Sequence, residues 1–562
     1  MNYKETYQEW LSNPYFDEDT KKELTAIEND ENEIKERFYA DLAFGTAGLR
    51  GIIGAGINRM NIYVVRKATQ GLADYILEQG TDKKRVAIAF DSRHMSPEFA
   101  DEAARTLAAN GIKAFIFESL RPTPELSFAV RYLKCAGGIM ITASHNPKEH
   151  NGYKVYDDTG CQLLPEAADQ VVQYVNEVED ELNIKVFSDE EAYPYMTWIG
   201  EEVDEAYYKE VMAIEVNPGM DKSDFKIVFS PQHGTSNIAV RTCLTRLGYD
   251  LVPVLAQCAP DPDFSNTKSP NPEVPASYEL AIKKAKEVDA DVVVITDPDG
   301  DRLGVVAKHN GEYVLMSGNQ SAAVYLEYIL SQMKEKGTLP DNAVMYNTIV
   351  TSDLGELVAR SYGVDVEKTL TGFKFIGDKI RKYEQTHEKT FVFGYEESYG
   401  CVIKDFVRDK DAVQAVLTAA EAGNFYKKQG KDLVDVLNEL YAKHGTFKET
   451  QIALSKAGAA GAARIKEIMD NLRKDAPQEI GGVKVVKVED YGNSTCSDGT
   501  TIQLPKSNVL KYYLEDGSWI AARPSGTEPK CKFYFSIKGT DAKDAADKTE
   551  VFHKSMMEII GE

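Results

Sequence analysis

Four short stretches hold residue types that could carry out chemistry together. In Ile139-Met-Ile-Thr-Ala-Ser-His-Asn-Pro147 an apolar run ends in a tight loop presenting Ser144 and His145. A buried strand ending this way places both at the carboxyl edge of a sheet, where open α/β folds bind ligands. No GxSxG elbow surrounds Ser144, so a hydrolase-type serine is not indicated. Taken alone, the stretch reads first as a polar turn after a core strand.

The second stretch is Asp297-Pro-Asp-Gly-Asp301, again after an apolar run, DVVVIT. Its three carboxylates alternate, so an extended loop could turn all of them one way. Three hard oxygen donors suit Mg²⁺. An EF-hand would need Gly and Glu where Arg302 and Lys308 stand, and a helix where a strand precedes. The third stretch, Arg523-Pro-Ser-Gly-Thr-Glu-Pro-Lys530, combines a guanidinium, two hydroxyls, a glycine and an ammonium. Arg523, Ser525, Gly526, Thr527 and Lys530 read as a phosphate clamp, although not a Walker A loop. In the fourth, Glu396 and Ser398 offer an acceptor and a hydroxyl at the spacing of neighbouring sugar hydroxyls. Phe44-Gly-Thr-Ala-Gly-Leu-Arg-Gly51 could bring backbone up to an anion. Thr371-Gly-Phe-Lys374 and Arg408-Asp-Lys410 each read alone as surface, and His233 as a satisfied loop histidine.

These loops need a scaffold, and the chain supplies one three times. Strand RVAIAF, helix SPEFADEAARTLAANG, strand KAFIFES and helix TPELSFAVRYLKC lead to the Ser144 strand. KIVFS, NIAVRTCLTRLG, LVPVLA and ASYELAIKKAKEVD lead in the same way to the Asp297 strand. AVMYNT, DLGELVARSYG, VDVEKTL and FKFIGDKIRKYEQ lead to TFVFGYEESYG. The alternation implies mainly parallel sheets covered on both faces. Residues 1–40 read as a charged helical lead-in on the surface. After about residue 445 strands and helices no longer alternate, and Asp516-Gly517 marks a hairpin. The expected fold is three related α/β domains with mixed sheets plus a smaller C-terminal α+β domain, around one cleft. The boundaries fall at 1–205, 206–320, 321–445 and 446–562.

Composition bounds the partners. At 562 residues and 43% hydrophobic, the chain can bury several cores. A net charge of −24 argues against nucleic acid. Seven scattered cysteines without a CxxC pair argue against a disulfide framework or a zinc site. With no apolar leader in MNYKETYQEW and no long apolar run, the expectation is a cytoplasmic protein away from membranes. Oligomeric state is not legible. A serine nucleophile, a metal loop, a polyol-reading loop and a phosphate clamp together describe phosphoryl transfer.

In this order, TASHNP, DPDGDR, EES and RPSGT resemble the α-D-phosphohexomutase family, nearly end to end from GTAGLRG to RPSGTEPK. The resemblance implies interconversion of glucose 1-phosphate and glucose 6-phosphate, with glucose 1,6-bisphosphate as intermediate and activator. It implies that Ser144 is a phosphoserine and a metal ligand beside Asp297, Asp299 and Asp301, with Mg²⁺ the metal. Arg50 and Lys154 match positions near the transferred phosphate, and Lys154 and His145 are candidates for acid–base work. Arg302, Thr371, Gly372, Glu396, Ser398, Lys410, Arg523, Ser525, Gly526 and Thr527 would bind the sugar phosphate. There are two departures: Tyr395 stands where the best-known glucose enzymes have glycine, and SPQHG stands where many relatives have an aspartate. Both resemble the branch that includes phosphopentomutases and glucose 1,6-bisphosphate synthases, so mannose or pentose phosphates are the alternative substrates. A non-catalytic sugar-phosphate sensor and a phosphohydrolase are alternatives of other classes.

Overall fold

The computed structural model describes residues 2–45, 48–178, 181–456, 458–525 and 529–562. Gly526 and Thr527 of the clamp, and Thr46 and Ala47 of the glycine-rich stretch, lie outside the described residues. The chain packs as two compact units. One comprises 1–317, 373–391 and 399–428, and the other 318–372, 392–398 and 429–562.

The first unit opens with helices Tyr3–Ser12, Glu18–Ala26 and Glu31–Phe38, capped by Asn2, Asp17 and Asp30. They are more than a surface lead-in. Tyr7, Trp10, Phe16, Leu24, Ile34 and Phe38 form a core with Tyr63, and Trp10 stacks on Phe16 at 4.2 Å. Two sheets follow. Strands Arg85–Phe90, Lys113–Phe117 and Gly137–Ile141 are parallel, as the alternation requires. Beside Gly137–Ile141 runs an antiparallel strand, His150–Asp157, and beside that Leu49–Ile52. The second sheet repeats the pattern, with Lys226–Ser230, Asp250–Pro253 and Val292–Thr296 parallel. Leu303–His309 and Glu312–Met316 add an antiparallel hairpin. The sheets are therefore mixed. The stretch LVPVLA keeps strand geometry only to Pro253, and Leu255–Gln257 turns into a 3₁₀ helix.

Helices Phe373–Thr386 and Ala412–Lys427 belong to this first unit. They are anchored by buried polar groups. Tyr207 Oη donates to both Asp411 oxygens at 2.9 Å, and Asp411 also caps Ala412–Lys427.

In the second unit Ala343–Thr348 pairs in parallel with Asp365–Thr369 and neighbours Thr390–Glu396 on its other side. The C-terminal part is an antiparallel sheet with helices Gly458–Lys474 and Ala542–Ile560 closing its core. Gly517 takes a positive φ of 87° in the hairpin between Leu510–Leu514 and Trp519–Pro524. Among the described residues, no helix is long and apolar enough to cross a membrane.

Candidate active site

Ser144 lies three residues past the end of the strand Gly137–Ile141, with its backbone in the left-handed region at φ 54°. A non-glycine residue holds that conformation only where its surroundings enforce it. Two groups do so here. Thr142 Oγ1 accepts the Ser144 N–H at 2.8 Å. The buried Arg93 guanidinium donates to four carbonyl oxygens of the loop: Ser144 and Asn146 at 2.6 Å, Pro147 at 2.8 Å and His150 at 3.1 Å. Asp91 in turn holds Arg93 Nε at 3.2 Å and accepts hydroxyls from Thr142 and Ser96, both at 2.7 Å. Asp91 and Arg93 sit in the DSRH loop after the first parallel strand. Sequence reasoning passed over them, although two opposite charges at a strand's carboxyl end are a readable signal.

Ser144 Oγ donates to Asp297 Oδ2 at 3.0 Å and lies 3.0 Å from His145 Nδ1. The three aspartates are fully buried, with one oxygen from each within 4.8 Å of the others. They converge through a reverse turn at Gly300, φ 70°, and not through extended alternation. A Cβ at Gly300 would sit 2.8 Å from Pro122 Cβ, so glycine lets the turn pack against the neighbouring loop. Asp297 Oδ1 accepts the backbone N–H groups of Asp301 and Arg302 at 3.1 and 2.9 Å. Thr123 grips Asp299 twice, N–H to its carbonyl at 2.8 Å and Oγ1 to Oδ2 at 3.0 Å.

Cations balance the carboxylates. Lys154, on the strand His150–Asp157, bonds Asp299 Oδ2 at 2.8 Å and lies 3.8 Å from Asp301 Oδ2. Lys410 reaches Asp301 Oδ2 at 3.1 Å and Asp409 Oδ1 at 3.2 Å. Gly400 makes room for it, because a Cβ there would fall 2.0 Å from Lys410 Cδ. Arg408 and Asp409 are buried, so the stretch Arg408–Lys410 is not surface. Arg302 pairs with Glu273 at 2.7 Å. Arg50 Nη1 lies 3.4 Å from Asn146 Oδ1, on the strand beside the one carrying Lys154.

These surroundings set the protonation states. Burial, then the Asp299 and Asp301 charges, push the Asp297 carboxyl well above its usual range. Burial also opposes ionisation of Asp299, but the Lys154 ammonium, a hydrogen bond with Asp297 and the Lys410 charge together outweigh it and hold Asp299 low. Burial disfavours the Lys154 ammonium, yet Asp299 and Asp301 keep it charged. Burial, then Arg302 and Arg50, press His145 down to about 2, so its imidazole is neutral.

Two carboxylate oxygens in this set, Asp299 Oδ1 and Asp301 Oδ1, are buried with no hydrogen-bond partner among the described residues. Unpaired buried carboxylate oxygens are costly. Beside a third carboxylate they form an all-oxygen donor set that fits a small hard cation.

The second unit holds the remaining candidates. Ser398 Oγ donates to Glu396 Oε1 at 2.8 Å, so the two act as a pair. Glu397 accepts from Thr348 and Thr351 at 3.0 and 3.2 Å, which braces the loop from behind. Tyr395 is fully buried, and its ring lies where a Cβ on Gly355 would be 2.1 Å from its Oη. It packs the core and leaves the face presented by Glu396. Thr371 and Gly372 (φ 115°) follow the strand Asp365–Thr369. Arg523 ends the strand Trp519–Pro524, and the Ser525 N–H donates to Lys530 O at 2.7 Å across the hairpin. His233 is buried and donates Nδ1 to Ala259 O at 2.8 Å, but its Nε2 is buried with no hydrogen-bond partner among the described residues, so it is not the satisfied loop histidine the sequence suggests.

Comparison with known proteins gives matches along most of the chain. Residues 41–182, 205–311 and 317–444 match the phosphoglucomutase/phosphomannomutase alpha/beta/alpha domains I, II and III, and 463–553 match the C-terminal domain of that family. A protein named phosphoglucomutase from Staphylococcus epidermidis is 40% identical over 513 residues, covering 90% of this chain and 92% of its own. Another of that name from Staphylococcus aureus is 39% identical over 523 residues, covering 92% and 93%. Among solved structures, the Paramecium parafusin phosphoglucomutase in its open form aligns with a TM-score of 0.70 at 20% identity, over 93% of this chain and 96% of that one. A putative phosphomannomutase from Thermus thermophilus aligns with a TM-score of 0.69 at 21% identity, over 93% and 100%.

Proposed function

The chain belongs to the phosphoglucomutase/phosphomannomutase family, and on that premise we propose that it interconverts glucose 1-phosphate and glucose 6-phosphate through a phosphorylated Ser144. One observation carries the reading. Ser144 Oγ lies 3.0 Å from Asp297 Oδ2, in a carboxylate set with two buried oxygens that accept no hydrogen bond among the described residues. A nucleophile placed beside an all-oxygen cation site is what phosphoryl transfer requires.

Asp297, Asp299 and Asp301 would hold the cation, which we assign as Mg²⁺ from its donors. When bound, it would neutralise charge on the phosphoryl oxygens at Ser144. The chain's own residues do the rest. Phospho-Ser144 gives its phosphoryl group to O6 of glucose 1-phosphate, which yields glucose 1,6-bisphosphate and frees Oγ. The O6 proton must leave as the O6–P bond forms, and Ser144 Oγ must gain one as its own bond to phosphorus breaks. The neutral His145, 3.0 Å from Oγ, suits a base or relay, and the charged Lys154 suits an acid. Arg50 and Arg302 supply positive charge for the transferring group. After reorienting, the bisphosphate returns its 1-phosphate to Ser144 and leaves as glucose 6-phosphate.

Glu396 and Ser398 read the sugar hydroxyls, and Thr371, Gly372 and Lys410 are further substrate contacts. Arg523 and Ser525, with Gly526 and Thr527, take the phosphate that is not being transferred. The burial of Tyr395 supports a glucose substrate, because this departure from the glucose enzymes does not alter the presented face. The test is turnover of the 1-phosphates of glucose, mannose, glucosamine and ribose with Mg²⁺ and a trace of glucose 1,6-bisphosphate, with isomer and free phosphate both recorded. Glucose 6-phosphate forming fastest is the expected result. A faster mannose or ribose reaction would move the substrate, and free phosphate as the main product would overturn the mutase reading.

A further inference from the structure

A cavity of about 290 Å³ lies between the N-terminal helices and the first α/β domain. Its walls are mostly apolar. Trp10, Phe16 and Tyr63 line one side, and Val64, Ala68 and Val172 another. The aromatic wall is rigid, with Trp10 stacked on Phe16 and Tyr63 Oη fixed to Asp17 Oδ2 at 2.8 Å. At one end Lys67 pairs with Asp41 at 3.0 Å and Glu181 at 2.8 Å. Those three groups sum to one negative charge, which disfavours an anion and favours a neutral hydrogen-bond donor. Among the described residues, a phosphate would find no free cation there.

The size sets the ligand class. A dry apolar cavity of roughly 150 Å³ accepts benzene, and this one is about twice as large. The fit is a neutral two-ring aromatic molecule with one hydroxyl directed at the Asp41 and Glu181 carboxylates.

The cavity also touches the catalytic machinery. Phe44 and Leu49, both in its wall, flank Gly45 and Gly48, whose backbones exchange hydrogen bonds at 2.9 and 3.1 Å. Gly48 packs closely on the strand carrying Lys154, since a Cβ there would lie 1.9 Å from Tyr153 O. Arg50 follows Leu49 directly. A ligand in the cavity would bear on Phe44 and Leu49 and thereby on where Arg50 and Lys154 stand.

We propose that this cavity is a regulatory site for a neutral, hydroxyl-bearing two-ring aromatic ligand, coupled to catalysis through Gly48 and Leu49. Binding does not depend on the mutase reading, whereas the kinetic effect does, so the two are measured separately. The first arm is calorimetric titration of the full chain with 2-naphthol. Naphthalene-2-sulfonate serves as the anion of matched ring size, and Val64→Phe and Val172→Phe fill the cavity from two sides. Saturable one-site binding is expected, at least tenfold weaker in both variants and at least fivefold weaker for the sulfonate. Unchanged urea midpoints would show that both variants fold. No saturable binding by wild type, or equal binding by the folded variants, would overturn the site, and an equally tight sulfonate would overturn the assignment of its polar end. The second arm is glucose 1-phosphate turnover with and without saturating 2-naphthol. A change of at least twofold in KM or kcat that is absent in Val172→Phe supports the coupling, and binding without that change overturns it. A chain that turned over no sugar phosphate would defeat the mutase reading and leave the calorimetric result to decide the site.

Discussion

Replacing Arg93 by lysine probes how the serine loop is held. The buried guanidinium serves four carbonyl oxygens between Ser144 and His150 and pairs with the buried Asp91. A lysine ammonium has three N–H groups on a single nitrogen and cannot span acceptors on both sides of the loop. At least two charge-assisted bonds are lost, each worth roughly 1.5–3 kcal/mol. Breaking a buried charged contact typically costs about 3–5 kcal/mol. The expected loss is therefore ~3–5 kcal/mol in urea unfolding. The kinetic effect is separate. Ser144 keeps its positive φ only under this clamp, and a displacement of about 1 Å in a reacting group costs on the order of 100-fold. The folded variant should lose ~10- to 100-fold in kcat/KM for glucose 1-phosphate, measured in a coupled assay at a temperature where it is fully native. A variant that loses the stability but keeps kcat/KM within twofold of wild type would refute the claim that Arg93 sets the geometry of Ser144. Unchanged stability would refute the energetic claim.

Thr123→Val removes the hydroxyl on Asp299 Oδ2 and keeps the shape, so the Mg²⁺ concentration for half-maximal activity should rise ~10-fold, within the range for lost partners of metal ligands. An unchanged Mg²⁺ dependence would contradict that role. Mg²⁺ should raise the unfolding temperature of wild type, and EDTA should reverse the gain. Asp299→Asn should show neither effect, and an equal Mg²⁺ response in that variant would place the cation elsewhere. Lys511 is fully buried, 2.8 Å from Ile349 O and 3.9 Å from the Trp519 ring centre, and burial, then Lys368, draw it down to about 7. Its folded value lies below its unfolded one, so the cost of burying the ammonium is full below pH 7 and fades as pH rises toward ~10.5. Lys511→Met should therefore be more stable than wild type at pH 6, by a few kcal/mol at most, with the advantage shrinking by pH 9.5. An advantage that grows with pH in urea melts would reverse the sign. Tyr395→Phe should leave the ratio of glucose to mannose turnover within twofold, and a larger shift would mean that Tyr395 reaches the sugar.

The loops that carry chemistry were legible because each follows a continuous apolar strand, and strand ends in α/β folds present their loops to ligands. Ser144 and the three aspartates, which the structure brings together, were picked out in this way. Their supports were not. Thr123 and Asp299 are 176 residues apart, and the four carbonyls on Arg93 lie more than 50 residues from it, so no local pattern links them. The hairpin Leu303–Met316 did carry a signal, Asn310-Gly311 between two alternating runs, which the strand–helix repeat overshadowed. The N-terminal helices read as surface because their charges dominate, whereas Tyr7, Trp10 and Phe38 recur at spacings that build a buried face only once all three helices meet. Helix Phe373–Thr386 falls in the same sequence repeat as strands of the second unit, and Ala412–Lys427 in the same expected domain, 321–445, but both pack in the first unit. Periodicity shows that a helix has a buried face and does not show which partner covers it.

The central claim is that Ser144 carries the phosphoryl group that is exchanged with the sugar. The most direct measurement is to incubate the protein with Mg²⁺ and glucose 1,6-bisphosphate labelled with ³²P, digest it, and locate the label by peptide mass analysis. Chasing with unlabelled glucose 1-phosphate follows the fate of that label. The account predicts label on Ser144 alone, released by the chase into the bisphosphate and glucose 6-phosphate at the rate of turnover, and none in Ser144→Ala. Label on another residue, release as free phosphate, or isomer formed at the wild-type rate by Ser144→Ala would contradict it.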